Sequence, residues 1–365
     1  MANFSETQIV ESVAELWGVA LQPAGCAQCG YAFLVTAERV GKVCPHCARG
    51  PLTAQPARLR PEPPELVIPF AKQRADLTAA LTQFANEVWL RPAELDGPKL
   101  AQRLTPVYWP MWLVDADVAG EWQGEVGFDY QVKSSQEKYS DSGWKTNEVV
   151  ETRIRWEPRR GQMRRHFDNV AAPAISDHAA LIQRLGDFQL QHAQPYAASA
   201  AQTALLRVPD VLPENAWPLA RTALDRRAEA ECAQAAQGQH SRNFTVAVQY
   251  ESPHWTQLLL PLYVTFYTDD DGRRQMIWVH GQTGRLSGVR VASHKQGGQW
   301  AGGLVAAGVA MLLLGLLLGA VGLAVPPLLL CSGVCMVGAL PVGLAALVPA
   351  LWPGQWNAKQ GVKKQ

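Results

Sequence analysis

Between Lys295 and Lys359 the sequence has no charged side chain and no histidine. A solvated surface would not go that long without charge, whereas a membrane-spanning helix needs about 20 apolar residues. Other absences narrow the chemistry. The chain has no nucleotide-binding P-loop, no His-Glu-x-x-His and no Gly-x-Ser-x-Gly, so the usual signatures of NTPases, zinc peptidases and serine hydrolases are missing. Net charge is also small, with 33 Lys and Arg against 32 Asp and Glu. That balance disfavours a free nucleic-acid binder steered by bulk charge. The first 22 residues carry Glu6, Glu11 and Glu15 and have no basic segment ahead of an apolar run. They do not form a secretory signal, so the expected compartment for the N-terminal part is the cytosol.

Seven cysteines are present. Four form two Cys-x-x-Cys pairs, Cys26/Cys29 and Cys44/Cys47, separated by fourteen residues. This is the spacing of a four-thiolate zinc ribbon, in which each tight knuckle supplies two ligands. The implied cofactor is Zn2+, and four thiolates leave no open position for activated water. The rival reading is redox chemistry, because Cys44-Pro-His-Cys47 also matches an oxidising thioredoxin-like tetrapeptide. That chemistry needs a βαβ setting which the flanking residues do not suggest. His46, inside the second knuckle, is a competing ligand on sequence grounds. Cys232 stands alone, and Cys331 and Cys335 lie in the apolar tail as small fillers.

The expected fold class is α+β with seven segments. Residues 1–22 read as an amphipathic helix, with Ser5 and Gln8 as a capping box and Ile9, Val13, Leu16, Trp17 and Ala20 on one face. Residues 23–50 form the ribbon, and 51–65, with five prolines, a stiff linker. Residues 66–295 form a cytosolic mixed α+β domain with antiparallel sheets. Strands are expected at 107–118, 120–132, 144–156 and 163–170, then at 243–250, 255–267, 273–279 and 285–291. Leu104-Thr-Pro-Val-Tyr108 echoes Leu260-Pro-Leu-Tyr263, which suggests an internal duplication. Segments 301–325 and 328–351 are each long enough to span a bilayer as a two-helix hairpin broken at Pro326-Pro327. A wedge in one leaflet is the alternative, and segment length favours spanning. Gly315 and Gly319 form a GxxxG helix-packing face. Residues 352–365 form a basic tail. Basic residues on both outer flanks of the hairpin place both termini in the cytosol, and Trp300, Trp352 and Trp356 suit an interfacial belt.

No catalytic residue is identified. Asp115 and Asp117 share a strand face and read as its polar side, given the alternation Trp112, Val114, Ala116 and Val118. Arg153, Arg155, Arg159, Arg160, Arg164 and Arg165 fall on one expected hairpin with its turn at 157–161. They read either as a solvated face or as a contact for anionic lipid headgroups or an acidic partner.

The paired knuckles, Leu66-Val-Ile-Pro-Phe70, Tyr108-Trp-Pro-Met-Trp112 with Asp115, Leu260-Pro-Leu-Tyr263, and Val279-His-Gly-Gln-Thr-Gly284 with Gly288 and Ser293 occur in that order. This arrangement resembles a bacterial family of zinc-ribbon membrane proteins, sometimes labelled TFIIB-type zinc-ribbon or helicase-like. Ala48 stands where the family pattern has glycine, and the helicase label finds no ATP-binding motif here. The resemblance implies a non-enzymatic adaptor at the inner membrane that recruits phage-shock-like or flotillin-like (SPFH) oligomers. The alternative is a membrane-tethered nucleic-acid binder that uses the ribbon and the arginines. A small-molecule substrate is left undefined.

Overall fold

Alternating apolar residues in the middle of the chain build strands far longer than the sequence marks out. The computed structural model describes residues 8–60, 62–140 and 143–361. The N-terminal part contains β1 (Gln8–Val10), α1 (Ala14–Trp17), β2 (Gln22–Gly25), β3 (Ala32–Val35), β4 (Thr53–Ala54) and β5 (Ala57–Leu59). Next come β6 (Leu66–Val67), α2 (Arg74–Asn86), α3 (Gly97–Gln102) and the two long strands β7 (Thr105–Ser140) and β8 (Gly143–Pro173). They are followed by α4 (His178–Leu185), β9 (Gln194–Pro195), α5 (Ala198–Thr203), β10 (Leu205–Arg207) and α6 (Pro213–Ala235). The C-terminal part holds β11 (His240–Thr268), β12 (Arg274–His280), β13 (Leu286–Gly288), α7 (His294–Gly322), α8 (Pro327–Ala345) and α9 (Leu347–Lys359).

The α+β class holds, while the local expectations need four corrections. First, residues 8–22 form not one amphipathic helix but a strand, a single helical turn and the start of another strand. Val13, Trp17, Val19 and Leu21 are buried against Leu34, Leu59 and Tyr108, so tertiary burial overrides the helical spacing. Gln8 lies in β1, and Ser5 is outside the described residues. Second, 51–65 is not a bare linker. β4 pairs with β2, β5 pairs with β1, and Leu52 and Leu59 are buried. Third, the expected breaks at Ala119-Gly120 and Pro158–Gly161 are interior to strands: Gly120 pairs with Met163 and Pro158 with Glu125. Fourth, the two strands expected between 243 and 267 are one strand, β11, with an irregular register at 251–254.

One mixed sheet runs in the order β13-β12-β11-β7-β10-β3-β2-β4, with β8 on β7, β6 on β11 and β9 on β6. β3 joins β10 antiparallel, and β10 joins β7 parallel. The cysteine-bearing hairpin is therefore continuous with the main sheet. α6 covers one face of β7, β8 and β11. Its buried side chains Ala216, Ala220, Leu224, Ala228 and Cys232 recur every four residues. That ridge is mostly small, so the helix lies close over Trp112, Val114, Ala116, Val118 and Trp122.

The two echo segments meet. Pro106 pairs with Tyr263, Val107 with Leu262 and Tyr108 with Pro261. Phe70 sits between the two tyrosine rings, 4.9 Å from Tyr108 and 4.6 Å from Tyr263.

α7 and α8 are long and apolar, and they pack antiparallel along a glycine seam. A Cβ on Gly322 would meet Leu329, one on Gly315 would meet Met336 and Cys335, and one on Gly308 would meet the Ala339 carbonyl. Ser332 donates to the Gly315 carbonyl at 2.7 Å, and a Cβ on Gly319 would lie 3.0 Å from the same hydroxyl. Glycines at these steps let the backbones approach. α9 docks back on the sheet domain. Asn357 exchanges hydrogen bonds with both Ala292 N–H and Ala292 carbonyl, and Trp356 Nε1 donates to the Arg290 carbonyl. Trp352 and Trp356 stack on each other and pack against the core beside Trp89.

Candidate metal centre

The two knuckles are shaped by backbone amides. Gly30 N–H donates to Cys26 carbonyl and Ala48 N–H to Cys44 carbonyl, at 2.8 and 3.0 Å. Both turn residues adopt left-handed backbone, with φ 76° at Gly30 and 53° at Ala48. Glycine takes that conformation freely and alanine bears a steric cost. At position 48 the methyl is buried, which offsets part of that cost.

Cys26, Cys29, Cys44 and Cys47 converge so that all four Sγ atoms lie within 4.8 Å of one another. Cys26–Cys47 and Cys29–Cys44 are each 3.7 Å apart, sulfur to sulfur. A tetrahedron with metal–sulfur bonds of about 2.3 Å has edges of about 3.8 Å, so these spacings fit one four-coordinate metal ion. Burial raises the Cys29 thiol to about 11 and pushes Cys44 higher still. Burial also acts upward on Cys47, but the N–H groups of Arg49 and Gly50 and the neighbouring thiols outweigh it and leave it below its ordinary value. Metal binding would have to displace protons from the buried thiols.

Sequence reasoning missed the group beneath the knuckles. His46 does not join the four sulfurs; its Nε2 faces Asp177 at 3.4 Å. Asp177 also accepts from Arg207 Nη1 at 2.9 Å, and Arg207 Nη2 reaches Asp210 at 3.1 Å. The Arg207 guanidinium is enclosed between the Tyr31 and Trp109 rings, at 3.9 and 4.6 Å. Burial raises the Asp177 carboxyl, but the His46 hydrogen bond and the Arg207 charge outweigh it and hold it below the usual range. A 280 Å³ cavity lined by Tyr31, His46, Trp109, Asp177, Arg184 and Trp278 opens beside this cluster. An arginine in a short apolar strand, Leu205-Leu-Arg207, was the one sequence signal for the pair, and it names no partner.

The six arginines do not form one patch. They lie along β8, and strand alternation puts Arg153, Arg155, Arg159 and Arg165 on the face toward α6, with Arg160 and Arg164 opposite. Arg153 pairs with Glu151, Arg155 with Glu157 and Arg165 with Glu231. Arg159 donates to the Ala236 carbonyl. Asp115 and Asp117 lie on the polar face, where they accept from Asn169 N–H and His166.

Three of the resemblance motifs touch at Phe70, Tyr108 and Tyr263. Phe70 bridges the paired tyrosines, and His280 sits fully buried in its turn. His280 Nδ1 accepts from the N–H groups of Gln282 and Thr283, and its ring stacks on Phe188 at 3.9 Å. Ser293 caps α7 by accepting from Gln296 N–H. Comparison with known protein families, characterised proteins and solved structures finds no match to this chain.

Proposed function

We propose that this chain is a membrane-anchored, non-enzymatic zinc-ribbon adaptor. The observation that carries the reading is the four-thiolate site built into the same sheet onto which the apolar helices dock. With all four positions filled by sulfur, Zn2+ would act as a structural staple and supply no catalytic water. α7 and α8 are long and apolar enough to cross a membrane. α9 returns to the start of α7, where Gly297 lies against Pro349 and Pro353. That return supports a spanning hairpin with both ends on one side. Arg285, Arg290 and Lys295 before it, with Lys359, Lys363 and Lys364 after it, support a cytosolic side at a bacterial inner membrane.

The adaptor would present its sheet domain to a cytosolic protein, and the resemblance favours phage-shock-like or SPFH-like oligomers as that partner. The division of the arginines between two strand faces counts against a tethered nucleic-acid binder, which needs a concentrated basic surface.

The reading is tested on membranes. The chain should stay in the pellet after alkaline carbonate washing, contain one zinc per chain by elemental analysis, and co-purify with an oligomeric partner under mild detergent. Release into the supernatant, absence of bound metal, or recovery of the chain alone would overturn the corresponding part.

A further inference from the structure

Among the described residues, the outer half of the β7–β8 hairpin has no third strand. β11 begins at His240, opposite Gly127, so residues 128–140 and 143–155 form a ribbon only two strands wide. α6 ends at Ala235, beside Trp122 and Val126, and does not cover the ribbon. A ribbon only two strands wide is marginally stable in water on its own. Val150 is 51% exposed, Ile154 39%, and the Tyr139–Trp144 pair near the tip 69% and 71%. Among the described residues, only β7 pairs with β8, so the outer side of β8 is a free edge. Proline, bulges and charged side chains are the usual protection of such an edge. Pro158 supplies a proline farther along β8. Between Trp144 and Trp156 there is neither proline nor bulge, and the charges Lys145, Glu148, Glu151, Arg153 and Arg155 are of both signs, so they repel only a strand that sets like charge on like. That stretch carries the β-branched residues Thr146, Val149, Val150, Thr152 and Ile154.

The same edge is complementary to itself. Glu148 and Glu151 precede Thr152, while Arg153 and Arg155 follow it. Two copies laid antiparallel, with a two-fold axis at Thr152, bring Glu151 opposite Arg153 of the second copy and Val150 opposite Ile154 of the second copy. Glu151 and Arg153 already pair along the strand at 3.1 Å. The two pairs would therefore close a square of alternating charge. Parallel in-register pairing would instead set glutamate on glutamate and arginine on arginine, which is destabilising.

We propose that the β8 edge around Thr152 is a homodimer interface, in which a second copy of this chain adds its own β8 antiparallel to form a four-stranded sheet of two arms. The contact is isologous, so every pairing occurs twice and closes at two copies. It is independent of the adaptor reading, because it requires neither zinc nor a cytosolic partner.

Thr152→Cys in the full-length chain, solubilised in detergent, tests the axis. Directly opposed residues lie with Cα atoms about 4.5–5.5 Å apart, within reach of a disulfide. Mild oxidation should therefore yield a covalent dimer. Gln131→Cys, on β7 opposite Thr152, where the outer side of β7 is likewise unpaired beyond Gly127 among the described residues, should yield none. Charge reversal tests the register by sedimentation. Glu151→Arg and Arg153→Glu should each weaken association about tenfold by placing like charges opposite at both symmetric positions. The double variant should restore it. A monomeric wild-type chain, equal cross-linking of the two cysteine variants, or a double variant as weak as the singles would overturn the proposal. So would association that appears only when a different protein is added.

Discussion

Replacing Arg207 with alanine asks whether the metal loop and the sheet core are one cooperative body. The side chain is fully buried and forks between two carboxylates. Alanine removes the shared cation of Asp177 and Asp210 and leaves a gap between Tyr31 and Trp109. Removing one partner of a buried pair costs about 3–5 kcal/mol. Asp177 and Asp210 keep side-chain exposures of 28% and 32%, so water takes up part of that loss and the lower end applies. A loss of about 3 kcal/mol lowers Tm by roughly 6 °C, using the small shift per kcal/mol of a long chain. Arg207 also braces both knuckles, through Tyr31 beside Gly30 and through Asp177 to His46. Zinc transfer to a chromogenic chelator should therefore quicken. Arg207→Lys keeps the charge but not the fork and should fall between. The assays are thermal melting in detergent and chelator kinetics, with the exposed Arg160→Ala as control. If Arg207→Ala melts within about 2 °C of the control and releases metal at the same rate, the coupling argument fails.

Cys44→Ser should abolish stoichiometric metal and lower Tm further than Arg207→Ala, read by elemental analysis and melting. Gly30→Ala should cost about 1 kcal/mol through backbone strain alone, because no atom lies within 4 Å of the added methyl; equilibrium unfolding measures it. Gly297→Ala, which favours an isolated helix, should instead destabilise by about 1–3 kcal/mol. The new methyl would lie 2.5 Å from the Pro349 carbonyl, and the tryptophan emission should shift to the red as α9 lifts. Burial holds His280 below its ordinary 6.5; the hydrogen bond to the Asp187 carbonyl opposes it only in part, and the Arg285 charge adds a smaller push in the same direction as burial. The unfolded state therefore takes up the proton first. Stability from this site is complete above about pH 6.5 and declines as pH falls from there toward the folded value. Half-buried His178 acts in the same sense. His280→Asn should flatten the melting-versus-pH slope in that window, and an unchanged slope would refute the assignment.

What the sequence disclosed was local. Two Cys-x-x-Cys knuckles fix their own geometry within a few bonds, and the uncharged tail announces itself by length. Strand ends were illegible because Gly120, Pro158 and Gly161 carry turn character that pairing overrides. Pro158 is tolerated since β8 is an edge strand, where no outer neighbour needs its missing N–H. Gly161 is needed since a Cβ there would meet the Trp122 ring at 2.6 Å. The N-terminal periodicity misled because Val19 and Leu21 are buried alternately, as in a strand, while Val13 and Trp17 keep helical spacing across a single turn. Arg207 was invisible because, although Asp210 lies three residues away, Asp177 and the Tyr31 and Trp109 rings come from other segments, and only the fold brings them together.

The route from the apolar helices to the metal loop consists of packed contacts, not of linkers. Asn357 holds Ala292, and Val291 N–H donates to Tyr267 on β11. β11 pairs with β7, β7 with β10, and β10 with β3, whose turn carries Cys29 and Tyr31. The metal loop therefore stands at a fixed position relative to the anchor. β7 starts beside that anchor, next to Leu104 in the cluster that Trp352 and Trp356 touch. Its 36 residues reach at most about 120 Å at roughly 3.3 Å each, so the free end of the arm lies far from the anchor. An adaptor on a flexible tether samples many heights above a membrane and recruits by local concentration alone. If the chain is the adaptor proposed above, a body joined by packed contacts from α9 to the knuckles would hold a docking surface at a set distance, which suits the recruitment of an ordered oligomer.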